Sequence, residues 1–204
     1  MRHRCRVLAI IPVIFLAVGC AGRDNQLKLN PQESIKTLKA TAIVEFTNIK
    51  TEKGRALITV NTPDSFRIEI KGPLGVTTAL ISGNGDSITF LYRGESTTYK
   101  AGDARLPLRI RAAELVSMLL GAEDFPPRND RSFTTENLPN GRSITRRFDN
   151  DLLYMAYMSD YRPVAGASLP YTISIEGRGY KLLIKYINVD LKTVTKNSYF
   201  KTTR

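Results

Sequence analysis

Phe66-Arg-Ile-Glu-Ile-Lys-Gly-Pro-Leu-Gly-Val-Thr-Thr-Ala-Leu-Ile81 is the passage from which the rest of the chain is read. Phe66, Ile68 and Ile70 alternate with Arg67, Glu69 and Lys71, the period of a strand with one buried face. Gly72 to Gly75 interrupts it. Pro fits the second position of a type I turn and Gly the fourth, so the chain reverses, and Val76 to Ser82 reads as the next strand. The turn puts Leu74 third, at the tip, where Asn, Asp, Ser or Gly are usual. A large apolar side chain there either folds back onto its own sheet or meets something other than water.

The same period extends both ways. Ala42, Val44 and Phe46 alternate, then T-E-K-G turns the chain at Thr51 to Gly54. Ala56, Ile58 and Val60 follow, then N-T-P-D-S. Beyond G-N-G-D come Ser87 to Tyr92, R-G-E-S and Thr97 to Lys100. Six strands with short turns read as an antiparallel meander. Residues 109–120 change to helical spacing, with Ile110, Ala113, Leu115, Met118 and Leu119 apolar and Gly121 as C-cap. After the loop F-P-P-R-N-D and a faint strand at Ser132 to Glu136, the Asn140-Gly141 turn precedes Ser143 to Phe148. Leu152 to Met158 follows, Tyr161 to Pro170 reads as a loop, and Tyr171 to Glu176 pairs with Tyr180 to Val189 around G-R-G. Upstream, Asn30-Pro31 gives an N-cap and first helical position, for a helix to about Lys39 with Ile35 and Leu38 on one face.

A meander of ten or eleven strands must curl, close or stack to bury its apolar face. The expected class is therefore mainly β, an open antiparallel barrel of about eleven strands with a helical lid. If the wrap is incomplete, a greasy hollow remains. Phe46, Phe66, Ile68, Leu115, Met118 and Leu119 are the candidate lining, and the alternative is that the helix residues simply plug the core.

The N-terminus carries Arg2, Arg4 and Arg6, then an apolar run from Val7 to Val18 that is too short to span a bilayer. These are the marks of an export signal. Ala17-Val-Gly-Cys20 resembles a bacterial lipobox, with Ala17 where Leu is usual. The expected organisation is a lipoprotein signal peptide at 1–19, lipid attachment at Cys20, a tether at 20–29 and a single domain at 30–204. Ala21 is not the Asp of an inner-membrane retention signal, so the outer membrane, at its periplasmic face, is the expected location.

Beyond residue 19 the chain has 27 basic and 19 acidic residues, a net charge of +8, no His, and no Cys but Cys20. That rules out an internal disulfide, a Ser-His-Asp or Cys-His site and a Cys/His zinc site. No aromatic-basic nucleic-acid motif is present. The positive charge either faces anionic head groups or an acidic partner, or is a solvated surface. Asp149, Asp151, Glu123 and Asp124 are adjacent acids without catalytic spacing. No G-x-S-x-G or phosphate-binding loop is found. The expectation is a non-enzymatic monomer with no catalytic residues, metal or cofactor.

The order of features resembles the outer-membrane lipoprotein receptor family LolB: a lipobox, an N-terminal helix, a strand leading into an N-P-L-G-type loop, and a helix after the sixth strand. Phe66 to Ile81 and Leu169 to Val189 carry the likeness, which covers most of residues 20–191 in order of elements. The resemblance implies an open barrel that takes lipoproteins from a LolA-like periplasmic carrier, holds their acyl chains in an apolar cavity and releases them into outer-membrane lipid. It places membrane contact on the loop of Pro73 and Leu74. The absence of Trp and the basic balance depart from the family. The alternative is an envelope lipoprotein that binds another amphiphile or forms a non-enzymatic part of an assembly complex. Arg67 either reaches a lipid carbonyl or carrier residue, or is a solvated strand residue.

Overall fold

The structure is a computed structural model describing residues 35–92, 94–127 and 129–191, with the backbone alone for Pro73. The expected signal peptide, Cys20, the tether and residues 30–34 of the expected N-terminal helix lie outside the described residues.

The strands are β1 (Thr37–Thr47), β2 (Thr51–Asn61), β3 (Ser65–Lys71), β4 (Thr77–Asn84), β5 (Ser87–Tyr92) and β6 (Glu95–Lys100). After helix α1 (Ala112–Leu120) come β7 (Phe133–Leu138), β8 (Gly141–Phe148), β9 (Asp151–Val164), β10 (Ala167–Gly177) and β11 (Tyr180–Asp190). All eleven strands form one antiparallel sheet in the order β6-β5-β4-β3-β2-β1-β11-β10-β9-β8-β7. Two meanders therefore meet where the first strand pairs with the last, from Lys39↔Asp190 to Thr47↔Lys181. The free edges are β6 and β7, so the barrel is unclosed. The sheet curls enough for the Tyr92 hydroxyl, at the end of β5, to donate to Glu52 Oε1 on β2 at 2.8 Å, across two intervening strands.

α1 packs against β2, β3 and β10, strands of both meanders, and so lies inside the curl. Ala112, Leu115, Val116, Met118 and Leu119 are buried against Ile58, Phe66, Ile68, Ile144, Met158, Leu169, Ile173 and Ile184 in one core. Each large apolar side chain withdrawn from water contributes roughly 1.5–3 kcal/mol. The helix begins at Ala112 rather than at residue 109, because Leu108 and Arg109 have positive φ in a 3-10 turn at Pro107–Arg109. It ends at Gly121, as expected. Gly121 takes φ 66°, its N–H bonds Met118 O, and the Ala122 N–H bonds Ser117 O, the paired bonds of a Schellman cap.

Four local readings need correction. Residues 37–39 of the expected N-terminal helix are strand: Leu38 shares the buried face of Ala40, Ala42 and Val44, and β1 is paired on both sides. Two apolar residues three apart could not separate a helix from this. The first turn lies at residues 48–50, not Thr51 to Gly54. Gly54 is a strand residue whose missing side chain makes room for Ile70, 2.7 Å from where its Cβ would stand. Tyr161 to Pro170 is no loop but the tips of β9 and β10, turning at Ala165-Gly166. Pro163 and Pro170 fit there because β8 pairs with β9 only as far as Ser159, and β11 pairs with β10 only from Thr172. The β7–β8 hairpin turns at Pro139-Asn140, one residue before the expected dipeptide, and the faint strand is β7.

On the outer face of β3, Glu69 is held by Arg67 Nε at 2.7 Å and Lys71 Nζ at 2.8 Å. Burial alone would raise its pKa, but the hydrogen bonds from Lys71 and Arg67 outweigh it and the carboxyl is held below the usual range. A depressed folded pKa contributes stability above the unfolded pKa that is lost as pH falls through the folded one. Stability should therefore decline as pH drops below about 4.3, the ordinary Glu value. Glu69→Gln should flatten part of that decline in urea unfolding measured from pH 7 to pH 3.

Candidate functional site

The loop between β3 and β4 answers the question posed by Leu74. The Gly75 N–H bonds Gly72 O at 3.2 Å, and the Gly72 N–H bonds Val76 O at 2.8 Å. Lys71 Nζ reaches Thr77 Oγ1 at 2.8 Å, closing the base of the loop. Leu74 stands at φ 63°, ψ 14°. A positive φ at the third position belongs to a type II turn, which calls for Gly or Asn there, not to the type I turn read from the sequence. Leu74 is also fully exposed, at 101%. The backbone conformation costs a non-glycine residue roughly 1–2 kcal/mol, and exposure forgoes the gain of burying a leucine. Water repays neither. Leu108 has a similar backbone, at φ 61°, but its side chain is buried in the core; at Leu74 burial does not repay the strain. Val76, beside it, is exposed as well.

The six residues expected to line a hollow lie elsewhere. Phe66, Ile68, Leu115, Met118 and Leu119 are all buried in the core, and Phe46 is partly buried with its ring 5.8 Å from that of Tyr180. Two recesses lie at the C-terminal end of α1 and the loop that follows it. One, of about 370 Å³, is bounded by Ile35, Leu120, Gly121, Leu138, Arg142 and Tyr161. The other, of about 480 Å³, is bounded by Asp124, Pro126, Pro127, Asp130, Phe133 and Arg142. None of the six expected residues lines either recess. α1 fills the interior of the curl, where Leu115, Met118 and Leu119 pack with Phe66 and Ile68.

A polar network that the sequence reading missed holds α1 there. Glu114, in the first turn of the helix, is buried. Arg146 Nη1 bonds both of its carboxylate oxygens, the Tyr154 hydroxyl donates to Oε2 at 3.0 Å, and the Arg111 N–H donates to Oε2 at 3.1 Å. The Arg146 guanidinium lies 5.2 Å from the centre of the Phe133 ring. Burial, and then the neighbouring Glu114 charge, raise the pKa of Tyr154, which stays a neutral donor. At the other end of the helix the Tyr186 hydroxyl donates to Leu119 O at 3.1 Å, and Arg142 Nη1 donates to Ala122 O at 2.6 Å. Arg146 was legible in principle, since it shares a face with Ile144 on β8, and Glu114 falls four residues before Met118 on the apolar face of the helix. Arg67, bonded to Glu69, is a member of the outer-face ion network. Among the described residues no group of three metal-ligating side chains converges.

No family model matches the sequence, and no curated protein matches it. Among solved structures the chain is similar to a LolA superfamily protein from Nitrosomonas europaea, with a TM-score of 0.52 at 8% identity, over 83% of this chain and 91% of that one. The chain shares its fold with this LolA superfamily protein. A DUF1329 family protein from Desulfovibrio piger aligns over the same shares at 10% identity with a TM-score of 0.46. Identities this low speak for the fold alone.

Two outcomes are expected. Glu114→Gln, which strands the buried Arg146 charge, should cost about 3–5 kcal/mol, and the double variant Glu114→Leu/Arg146→Met should recover most of it; urea unfolding of the single and double variants measures the coupling. Leu74→Gly should relieve the positive φ and leave the chain about as stable or up to about 1 kcal/mol more stable, after the entropy cost of glycine in the unfolded chain.

Proposed function

We propose that the chain is an outer-membrane lipoprotein, anchored through Cys20, that accepts the acyl chains of other lipoproteins from a LolA-like periplasmic carrier and helps to insert them into the membrane. The observation that carries this reading is Leu74: an apolar side chain held out in water, on a strained backbone, at the end of a fold of the LolA superfamily. Inserting it into hydrocarbon gains roughly 1.5–3 kcal/mol. That is too little to anchor a protein, which the acyl chains on Cys20 would do, but enough to orient one. Because α1 fills the interior, acceptance of an acyl chain requires α1 to withdraw, and the incoming chain would cover Phe66 and Ile68 in place of Leu115, Met118 and Leu119. The Glu114–Arg146 pair sets part of the cost of that exchange.

The packed interior favours a second reading, an envelope lipoprotein that holds no acyl chain and serves as a non-enzymatic part of an assembly complex. The two part on one measurement. In the first, purified protein binds a fluorescent fatty acid and carries co-purified lipid visible by mass spectrometry; in the second it does neither. Within the first reading, Leu74→Glu should unfold at the same urea concentration as the parent yet lose most of its transfer of carrier-bound lipoprotein into liposomes. Undiminished transfer would remove Leu74 from the pathway.

A further inference from the structure

The strand registers place the β1–β2, β3–β4, β5–β6, β8–β9 and β10–β11 turns at one end of the barrel, and the β2–β3, β4–β5, β7–β8 and β9–β10 turns at the other. The two ends differ in chemistry. Ten large apolar side chains are exposed among the described residues, and six belong to the first end: Ile49, Leu74, Val76, Tyr92, Phe148 and Leu152. Ile49 at the β1–β2 tip is 93% exposed, and Phe148 at the foot of the β8–β9 turn is 60% exposed. The opposite turns are Thr62-Pro-Asp64, Gly85-Asp86, Pro139-Asn140 and Ala165-Gly166, with Leu138 and Tyr161 the exposed apolar residues nearest them.

We propose that this whole end, with Ile49 and Phe148 as contacts additional to Leu74, is a docking face for the surface of a lipid bilayer. The inference rests on the anchored-lipoprotein reading for its geometry. The spacing of these groups favours a bilayer over a protein partner, and the length of the tether permits it. The apolar groups are spread over four hairpins, one each on β1–β2 and β5–β6 and two each on β3–β4 and β8–β9, about 10 Å apart per strand pair. Exposed charges of both signs lie between them: Lys50, Lys53, Arg147 and Arg178 beside Glu52, Glu95, Asp149 and Asp151, with Lys53 paired to Glu45 and Arg178 to Asp151. A protein interface gathers its apolar residues into one contiguous core, whereas a fluid interface receives separated tips and lets the charged groups beside them stay at head-group level. Covalent length permits this placement. The described chain begins at Ile35, at the opposite end, beside the Thr62–Asp64 turn, where Thr37 pairs with Asn61. The fifteen residues from Cys20 to Ile35 can span at most about 50 Å, and the eleven residues of β1 rise about 36 Å. A chain tethered at Cys20 can therefore lie with its apolar end on the membrane that holds its anchor.

The chain contains no Trp, so a single introduced Trp reports without background. The test uses residues 20–204 carrying Cys20→Ala, which removes the anchor, with Ile49→Trp, Leu74→Trp, Phe148→Trp or Leu138→Trp added singly. Each is mixed with vesicles of phosphatidylethanolamine and phosphatidylglycerol, with and without brominated acyl chains. Emission from positions 49, 74 and 148 should shift to the blue and be quenched, while position 138 stays unquenched. Ile49→Ser and Phe148→Ser should each lower vesicle partitioning about tenfold, and Leu138→Ser should leave it unchanged. Quenching at 74 alone overturns the face but leaves the single-residue reading and the proposed function standing. Quenching at none of the positions, or equally at 138, also overturns the face. Quenching at 49, 74 and 148 by a protein that binds no fatty acid sustains the face and removes lipid acceptance instead.

Discussion

A curled sheet with one apolar face must cover that face, and here the cover is a nine-residue helix. Everything else in the fold is arranged around that need. Pairing β1 with β11 joins the two meanders back to back and moves the free edges to β6 and β7, the strands between which α1 lies in sequence. A closed barrel would admit a helix on a connecting segment only through its ends. The unclosed one admits it, and the helix brings Leu115, Met118 and Leu119 to the centre of the core. The Glu114–Arg146–Tyr154 network shows that the cover is fixed by more than apolar contact. A buried ion pair adds little net stability over a well-packed apolar substitute but makes misplacement costly, since either charge alone would be stranded.

Strand content was legible because period-two alternation survives wherever one face is buried. Phe66, Ile68 and Ile70, or Ala56, Ile58 and Val60, could hardly be read otherwise. The class of fold followed from counting such runs. What failed did so at ends. Leu38 belongs to β1, but a strand's first residue has too few neighbours to declare its period. Pro163 and Pro170 were read as loop because proline is rare inside sheets, yet both sit where one neighbouring strand has stopped. The candidate site was legible only in part. Leu74 stood out as the wrong residue for a turn tip. The interior was read as open or filled with equal reason, since the residues that would line a hollow are the same ones that fill a core. Glu114 was passed over because a carboxylate on a helix is ordinarily solvated, and its partner lies 32 residues away in sequence.

The two ends of the barrel thus carry different work. One end has turns built from small, polar and proline residues and receives the incoming chain at Ile35. The other holds apolar tips, with Leu74 on a backbone that favours glycine. Glycine would relieve that backbone, and burial of the Leu74 side chain does not repay the strain.

Lys39 and Asp190 face each other across the central pair, although almost the whole described chain lies between them. Non-local pairings of this kind are slow to form because loop closure must precede the contacts that reward it. The core of this protein cannot be sealed until β11, the last strand among the described residues, has left the ribosome. The nascent polypeptide is therefore without its completed sheet until synthesis has passed β11.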